Sequence, residues 1–169
     1  EVDLPIKQIS QHARREKSIR HGHISTLHLW WARKPLGASR AILLASLWPD
    51  PADSLCPEGF MVAARREMER WSREATRVTD QEAFKRCVAV QNNPALLQEP
   101  RALRRALFDF IVNFSCWESS ADSLHLSVGR ILVKVAHEAL GGSESNLPLV
   151  VDPFSGGGSI PLEAIRIGA

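Results

Sequence analysis

Asp152-Pro153-Phe154-Ser155-Gly156-Gly157-Gly158 is the stretch of this chain best suited to hold a small ligand. A carboxylate accepts hydrogen bonds from an amine or a hydroxyl. Three consecutive glycines carry no Cβ, so the main chain can turn through positive φ and lie close against a bound group. Ser159 onward reads as a helix, whose first N–H groups have no intrahelical acceptor and so can face a polar or anionic group. Pro161 falls in the first turn, where no N–H is needed. Ahead of the loop, the apolar, β-branched run from Leu147 to Val151 predicts a strand. Leu162, Ile165 and Ile167 then predict the helix face that would cover a sheet.

Three ligand classes compete for such a corner. A phosphate-binding P-loop needs Gly-Lys-Ser/Thr after the glycines, and here Gly158-Ser159-Ile160 follows. A dinucleotide fingerprint fits Gly156 and Gly158, but Pro161 stands where its third glycine belongs, and Asp-Pro-Phe is foreign to it. The third class is S-adenosylmethionine. A plain βα turn with a glycine cap would need fewer glycines than these.

The remaining chain must position this loop. Ile6, Ile9, Ala13 and Lys17 suggest a first helix with a basic face from Arg14, Arg15, Lys17 and Arg20. A second runs from Leu36 to Trp48, between Pro35 and Pro49. Phe60, Ala64, Met68, Trp71 and Ala75 recur at helical spacing. Thr79-x-x-Glu82 reads as a capping box for a helix through Phe84, Cys87 and Val88, ended by Gln91-Asn92-Asn93-Pro94. Leu103, Leu107, Phe110, Ile111 and Phe114 mark another helix. Ser119-x-x-Asp122 caps one more, running to about Leu140 and stopped by Gly141-Gly142-Ser143. Trp48 to Gly59 and Gly141 to Asn146 read as exposed loops. These stripes read as scaffold, and Arg101, Arg104 and Arg105 as a solvated face, with contact to DNA as the alternative.

Two blocks carry a family resemblance. VVDPFSGGGSIPLEAIRIG resembles motif I of amino-methyltransferases, whose usual form is Asp-Pro-Phe-x-Gly-x-Gly. LPIKQI, GHISTLHLWWARKPL and SRAIL resemble the N-terminal domain of unknown function that precedes adenine-specific DNA methylases of bacteria and archaea. FSCWESS (residues 114–120) adds to the match. The resemblance implies S-adenosyl-L-methionine as cofactor, with Asp152, Pro153, Phe154, Ser155, Gly156, Gly157 and Gly158 holding its methionine end. Trp31-Ala32-Arg33-Lys34-Pro35-Leu36 looks like a variant of the His-Pro-x-x-Lys-Pro-x-x-Leu segment that lines the cofactor pocket in compact relatives. Lys34 and Pro35 are therefore expected beside the glycine loop. The family's acceptor tetrapeptide, Asn/Asp-Pro-Pro-Tyr/Phe, is absent from these residues, so no catalytic residue is named.

The expected fold class is mostly α with a C-terminal βα unit, the truncated start of an α/β Rossmann-like methyltransferase domain. Residues 1–146 would form a helical domain, and residues 147–169 an incomplete cofactor-binding domain. The function implied is that of an N-terminal part of an adenine-N6 DNA methyltransferase, inactive by itself. A non-catalytic helical module that docks DNA or a partner, or an amino-methyltransferase acting on RNA or protein, stays open beside it. An unpaired strand would pair with another chain, pack on the helices or fray.

Composition narrows the rest. The 169 residues hold 21 Lys and Arg against 19 Asp and Glu, a nearly neutral balance. Residues 1–40, however, contain eight Lys or Arg and three Asp or Glu, a bias suited to DNA. No run is long enough to span a membrane and no signal peptide is evident, so a cytoplasmic setting is expected. Cys56, Cys87 and Cys116 are odd in number and form no C-x-x-C, the pattern of reduced thiols. His12, His21, His23 and His28 lack a nearby carboxylate or cysteine to complete a ligand set, and no metal is expected. Of Trp30 and Trp31, at least one is expected in the core.

Overall fold

The computed structural model describes residues 4–18 and 34–169. Seven α-helices are described: α1 (Ile6–Ser18), α2 (Leu36–Leu47), α3 (Glu58–Glu74), α4 (Gln81–Asn92), α5 (Pro100–Phe114), α6 (Ser123–Ala139) and α7 (Ser159–Ile167). Short 3₁₀ turns at Pro94–Gln98 and Trp117–Ser119 flank α5. The described residues contain no strand and no helix long and apolar enough to cross a membrane.

The helices are packed by their apolar stripes. On α3, Phe60, Ala64, Met68 and Trp71 are all but fully buried, with Arg and Glu opposite. Phe110 of α5 lies at the centre, its ring 5.4 Å from Trp71, 5.6 Å from Phe114 and 5.9 Å from Trp48. Such tilted and edge-on pairings add to the area each ring removes from water. α3 packs on α4, α5 and α6, while α2 is placed between α1, α5 and α7.

Two caps differ from the sequence expectation by register. Asp80, not Thr79, caps α4, its Oδ1 accepting from the Ala83 N–H at 2.8 Å. Asp122, not Ser119, caps α6, accepting from the His125 N–H at 3.0 Å. In both cases a carboxylate lies one to three residues after the hydroxyl, and the charged acceptor makes the stronger bond to helix N–H groups. The loop after α2 is exposed as expected, except that Trp48 and Pro51 are buried at its start.

His125 joins the two halves of the core. Its Nδ1 lies 2.6 Å from Asp122 Oδ2, so Nδ1–H donates and Nε2 is left as an acceptor. Trp71 Nε1 donates to Nε2 at 3.3 Å. Asn113 satisfies the same tautomer with its amide nitrogen 2.8 Å from Nε2 and its oxygen accepting from the Thr79 N–H at 2.9 Å. An Asp–His pair suggests acid–base work, but here the imidazole is buried with both ring nitrogens engaged and only Asp122, 39% exposed, reaches solvent, so the pair is structural. Burial holds the imidazole below its ordinary range against the upward pull of Asp122. His12 is likewise lowered by burial.

This has a pH consequence. The unfolded chain takes up protons on these histidines at a higher pH than the native one does. Stability is therefore full above about pH 6.5 and falls as the pH drops toward the lowered native values. Urea midpoints should be lower at pH 5.5 than at pH 7.5, and His125→Gln should flatten that difference. An equal midpoint at both pH values would contradict it.

Candidate functional site

The loop from Asp152 to Gly158 is formed, but the strand expected before it is not. Residues 147–152 are in no ladder, so the βα unit is represented by its helix alone. The physical reason is plain: a strand is defined by a partner's hydrogen bonds, and no described segment lies alongside to supply them. No Rossmann-like sheet is present among the described residues. The segment nonetheless keeps a period of two. Leu147, Leu149 and Val151 are exposed, Leu149 at 88%, while Val150 packs on the core.

α7 settles on the helices instead. Ala164 and Ile167 are buried, whereas Leu162 and Ile165 remain exposed, Ile165 at 72%. Ile167, expected to face a sheet, is therefore part of the helical core. Gly158 sits at the helix start with φ 75° and Gly156 with φ 52°, left-handed values that glycine adopts without strain. A Cβ at Gly158 would meet nothing within 4 Å. No described residue occupies the face beside it.

Polar groups around the loop are partly unspent. Asp152 Oδ1 accepts from the Phe154 N–H at 3.1 Å and tightens the turn. Asp152 Oδ2 is buried and has no hydrogen-bond partner among the described residues. No side chain caps α7. Phe154 stands out at the rim, 87% exposed. A buried carboxylate oxygen without a donor is costly unless something supplies one.

Behind the loop, α2 and the two residues before it are bound to α7 through two polar contacts. Ser159 Oγ donates to the Lys34 carbonyl oxygen at 2.8 Å, which places the Lys34-Pro35 segment at the start of α7. The Lys34 side chain is exposed and Pro35 half-buried. One turn further, Arg40 Nε donates to Glu163 Oε2 at 2.6 Å, with side chains 1% and 0% exposed. Arg40 also donates through Nη1 to the Phe114 carbonyl and lies over the Phe114 ring at 4.6 Å. Arg166 completes the seam, 3.1 Å from Glu163 Oε1 and donating to the Ser120 carbonyl at 2.7 Å.

The start of α2 is held from the other side. Pro35 offers no side-chain cap. Glu16 of α1 does so across the intervening chain, its two carboxylate oxygens accepting from the Leu36 N–H at 2.8 Å and the Gly37 N–H at 2.9 Å. A carboxylate at a helix N-terminus is favoured by both hydrogen bonding and the helix dipole. Gly37 rests against the Ser115 carbonyl oxygen so closely that an added Cβ would overlap it. Arg15 of α1 reaches Glu118 at 2.5 Å. Residues 114–120 are thus the hub on which α1, α2 and α7 converge.

Sequence reasoning missed Glu16, Gly37, Arg40 and Glu163. A glycine inside an apolar helix signals a close approach, and Gly37 carried that signal. The other three look like ordinary charges of solvated faces until the fold buries them. Other candidates are set aside by their surroundings. The three thiols are unpaired and pushed up by burial, Cys87 to about 11, so they stay protonated near neutrality. No group of metal ligands is present among the described residues. His21, His23, His28, Trp30 and Trp31 lie outside the described residues.

The class defined by these observations is a helical domain carrying a glycine-rich, carboxylate-led loop on its last helix. Residues 3–81 match the family model described as a protein of unknown function (DUF1156). That match covers α1, α2 and α3, the part that holds Lys34 and Arg40. No curated protein and no solved structure matches the chain.

Proposed function

We propose that residues 147–169 are the donor-binding corner of an S-adenosylmethionine-dependent DNA methyltransferase of the adenine-N6 type, with the helical domain as the frame behind it. The observation that carries this reading is Asp152 Oδ2, unpartnered among the described residues, beside three glycines and a helix start that no described side chain caps. Asp152 would accept from the ammonium of the methionine end. Gly156, Gly157 and Gly158, with Pro153, Phe154 and Ser155, would let the main chain close on it. Lys34 and Pro35 would back the loop through Ser159. The cofactor supplies a methyl group on a sulfonium; this chain's residues bind and orient it.

Base flipping and acceptor binding fall to residues outside these 169, since no Asn/Asp-Pro-Pro-Tyr/Phe occurs within them. The 169-residue chain is therefore expected neither to methylate DNA nor to bind the donor tightly. Methyl transfer from labelled donor by this chain would refute that. In the complete polypeptide, calorimetry should show donor binding, and Asp152→Ala should weaken it roughly tenfold to hundredfold, the loss of one charge-assisted hydrogen bond. Unchanged affinity in a folded Asp152→Ala protein would remove the assignment.

A second reading, a binding module for DNA without chemistry, is favoured by α1. Lys7, Arg14 and Lys17 are exposed there without an acidic partner among the described residues. Phosphate contacts from these side chains would give an affinity that falls steeply with salt. A flat salt dependence would count against DNA in either reading and favour a protein acceptor.

A further inference from the structure

Sharing no lining residue with the glycine loop, a hollow of about 180 Å³ enclosed by α3, α4, α5 and the 3₁₀ turn at Pro94–Gln98 opens to solvent. Its walls are Met68, Trp71, Cys87, Val90 and Leu97, all buried core residues. The space exists because α5 presents Ala102 and Ala106 where larger side chains would close it. The polar groups on its walls are already engaged. Ser72 Oγ donates to the Glu69 carbonyl at 2.7 Å, and the Ser72 carbonyl accepts from Gln91 Nε2. Asp109 is gripped by Arg86 through two bonds, 2.6 and 2.9 Å, with Arg105 at 3.4 Å. Away from the arginines at its mouth, water entering this space finds no free partner, the condition under which an apolar guest is preferred. An apolar cavity of about 150 Å³ suffices for benzene.

The mouth of the hollow is basic. Arg105 is shared with a shallow groove whose other walls are Arg101, Arg104 and Phe108. Arg104 lies over the Phe108 ring at 5.2 Å and pairs with Asp50 at 3.1 Å. Of the charged side chains lining hollow and groove, four are arginines and one is an aspartate. We propose that hollow and groove together bind a small amphipathic anion, an aliphatic or aromatic carboxylate whose apolar body fills the hollow and whose charge faces Arg105. A nucleobase suits it less, because polar atoms around its ring would be carried into the apolar interior, away from the arginines at the mouth. This site is separate from the donor corner and does not depend on that reading.

The test is titration of the 169-residue chain with octanoate, octanol and octylamine, followed by calorimetry and by chemical-shift changes. Octanoate should bind saturably at one site, octanol several-fold more weakly and octylamine most weakly. Ala106→Phe, which fills the hollow, should lower octanoate affinity roughly tenfold or more without lowering the melting temperature. Ala102→Leu serves the same purpose if that variant fails to fold. Arg105→Gln should weaken octanoate several-fold and leave octanol unchanged. The proposal is overturned by no saturable octanoate binding below the concentration at which it self-associates. It is equally overturned by full affinity in the folded filled variants, or by octylamine binding as tightly as octanoate.

Discussion

Replacing Glu163 by glutamine is expected to lower the unfolding free energy by about 3–5 kcal/mol, the usual cost of removing one member of a buried ion pair. Arg40 would remain in the core with its charge uncompensated. Two contacts soften the loss: the Phe114 carbonyl still accepts from Nη1, and the ring still faces the guanidinium. Neither carries a formal negative charge, so the low end of the range is the least expected. Arg166 would also lose its carboxylate partner. Removing both charges is a different experiment. Arg40→Met with Glu163→Leu keeps volume and leaves no fully buried charge unpaired; Arg166 alone loses its carboxylate, but it is partly exposed and keeps the Ser120 carbonyl, so the double variant should recover most of the stability. Urea unfolding of the two single variants and the double variant checks this. A Glu163→Gln midpoint equal to that of the unaltered protein would mean that α7 does not dock on α2 through this pair.

Gly37→Ala should cost about 1–3 kcal/mol, although glycine to alanine inside a helix ordinarily stabilises it. The sign is reversed by sterics. The added methyl would overlap the Ser115 carbonyl oxygen, a backbone atom that cannot rotate away, and it would also touch Glu16 Oε2 at 3.4 Å. Either α2 shifts from the hub at residues 114–120, or the carboxylate releases the N–H groups of Leu36 and Gly37. Gly59→Ala is the matched control, since nothing lies within 4 Å of a Cβ there. It lies in the first turn of α3 and should be neutral or stabilising by up to about 1 kcal/mol. Opposite signs at the two positions would separate contact from helix propensity. A stabilising Gly37→Ala would show that α2 and residues 114–120 are not in contact as described.

Much of the helical frame was legible because its periodicity is long and its stops are sharp. Pro35 and Pro49 bracket α2, and Gly141-Gly142 ends α6, as the chemistry of those residues requires. Cap positions differ by one to three residues, because Thr79 and Ser119 are plausible caps within three residues of the aspartates that cap the helices. The strand at residues 147–151 was the real departure. Its alternation is present in the exposure pattern, yet alternation only prepares a chain for pairing, and pairing needs a second segment.

The candidate loop could be read directly from residues 152–158, since glycine, proline and aspartate act through local geometry that sequence spacing reports. That Lys34 meets Ser159 across 125 residues, that Glu16 caps a helix on another element, and that Arg40 and Glu163 are sealed together are matters of tertiary contact. Backbone preference and hydrophobic period are set within a few neighbours, so the sequence alone determines them. Which charges are buried, and against whom, depends on where the helices come to rest, and only the folded arrangement decides that.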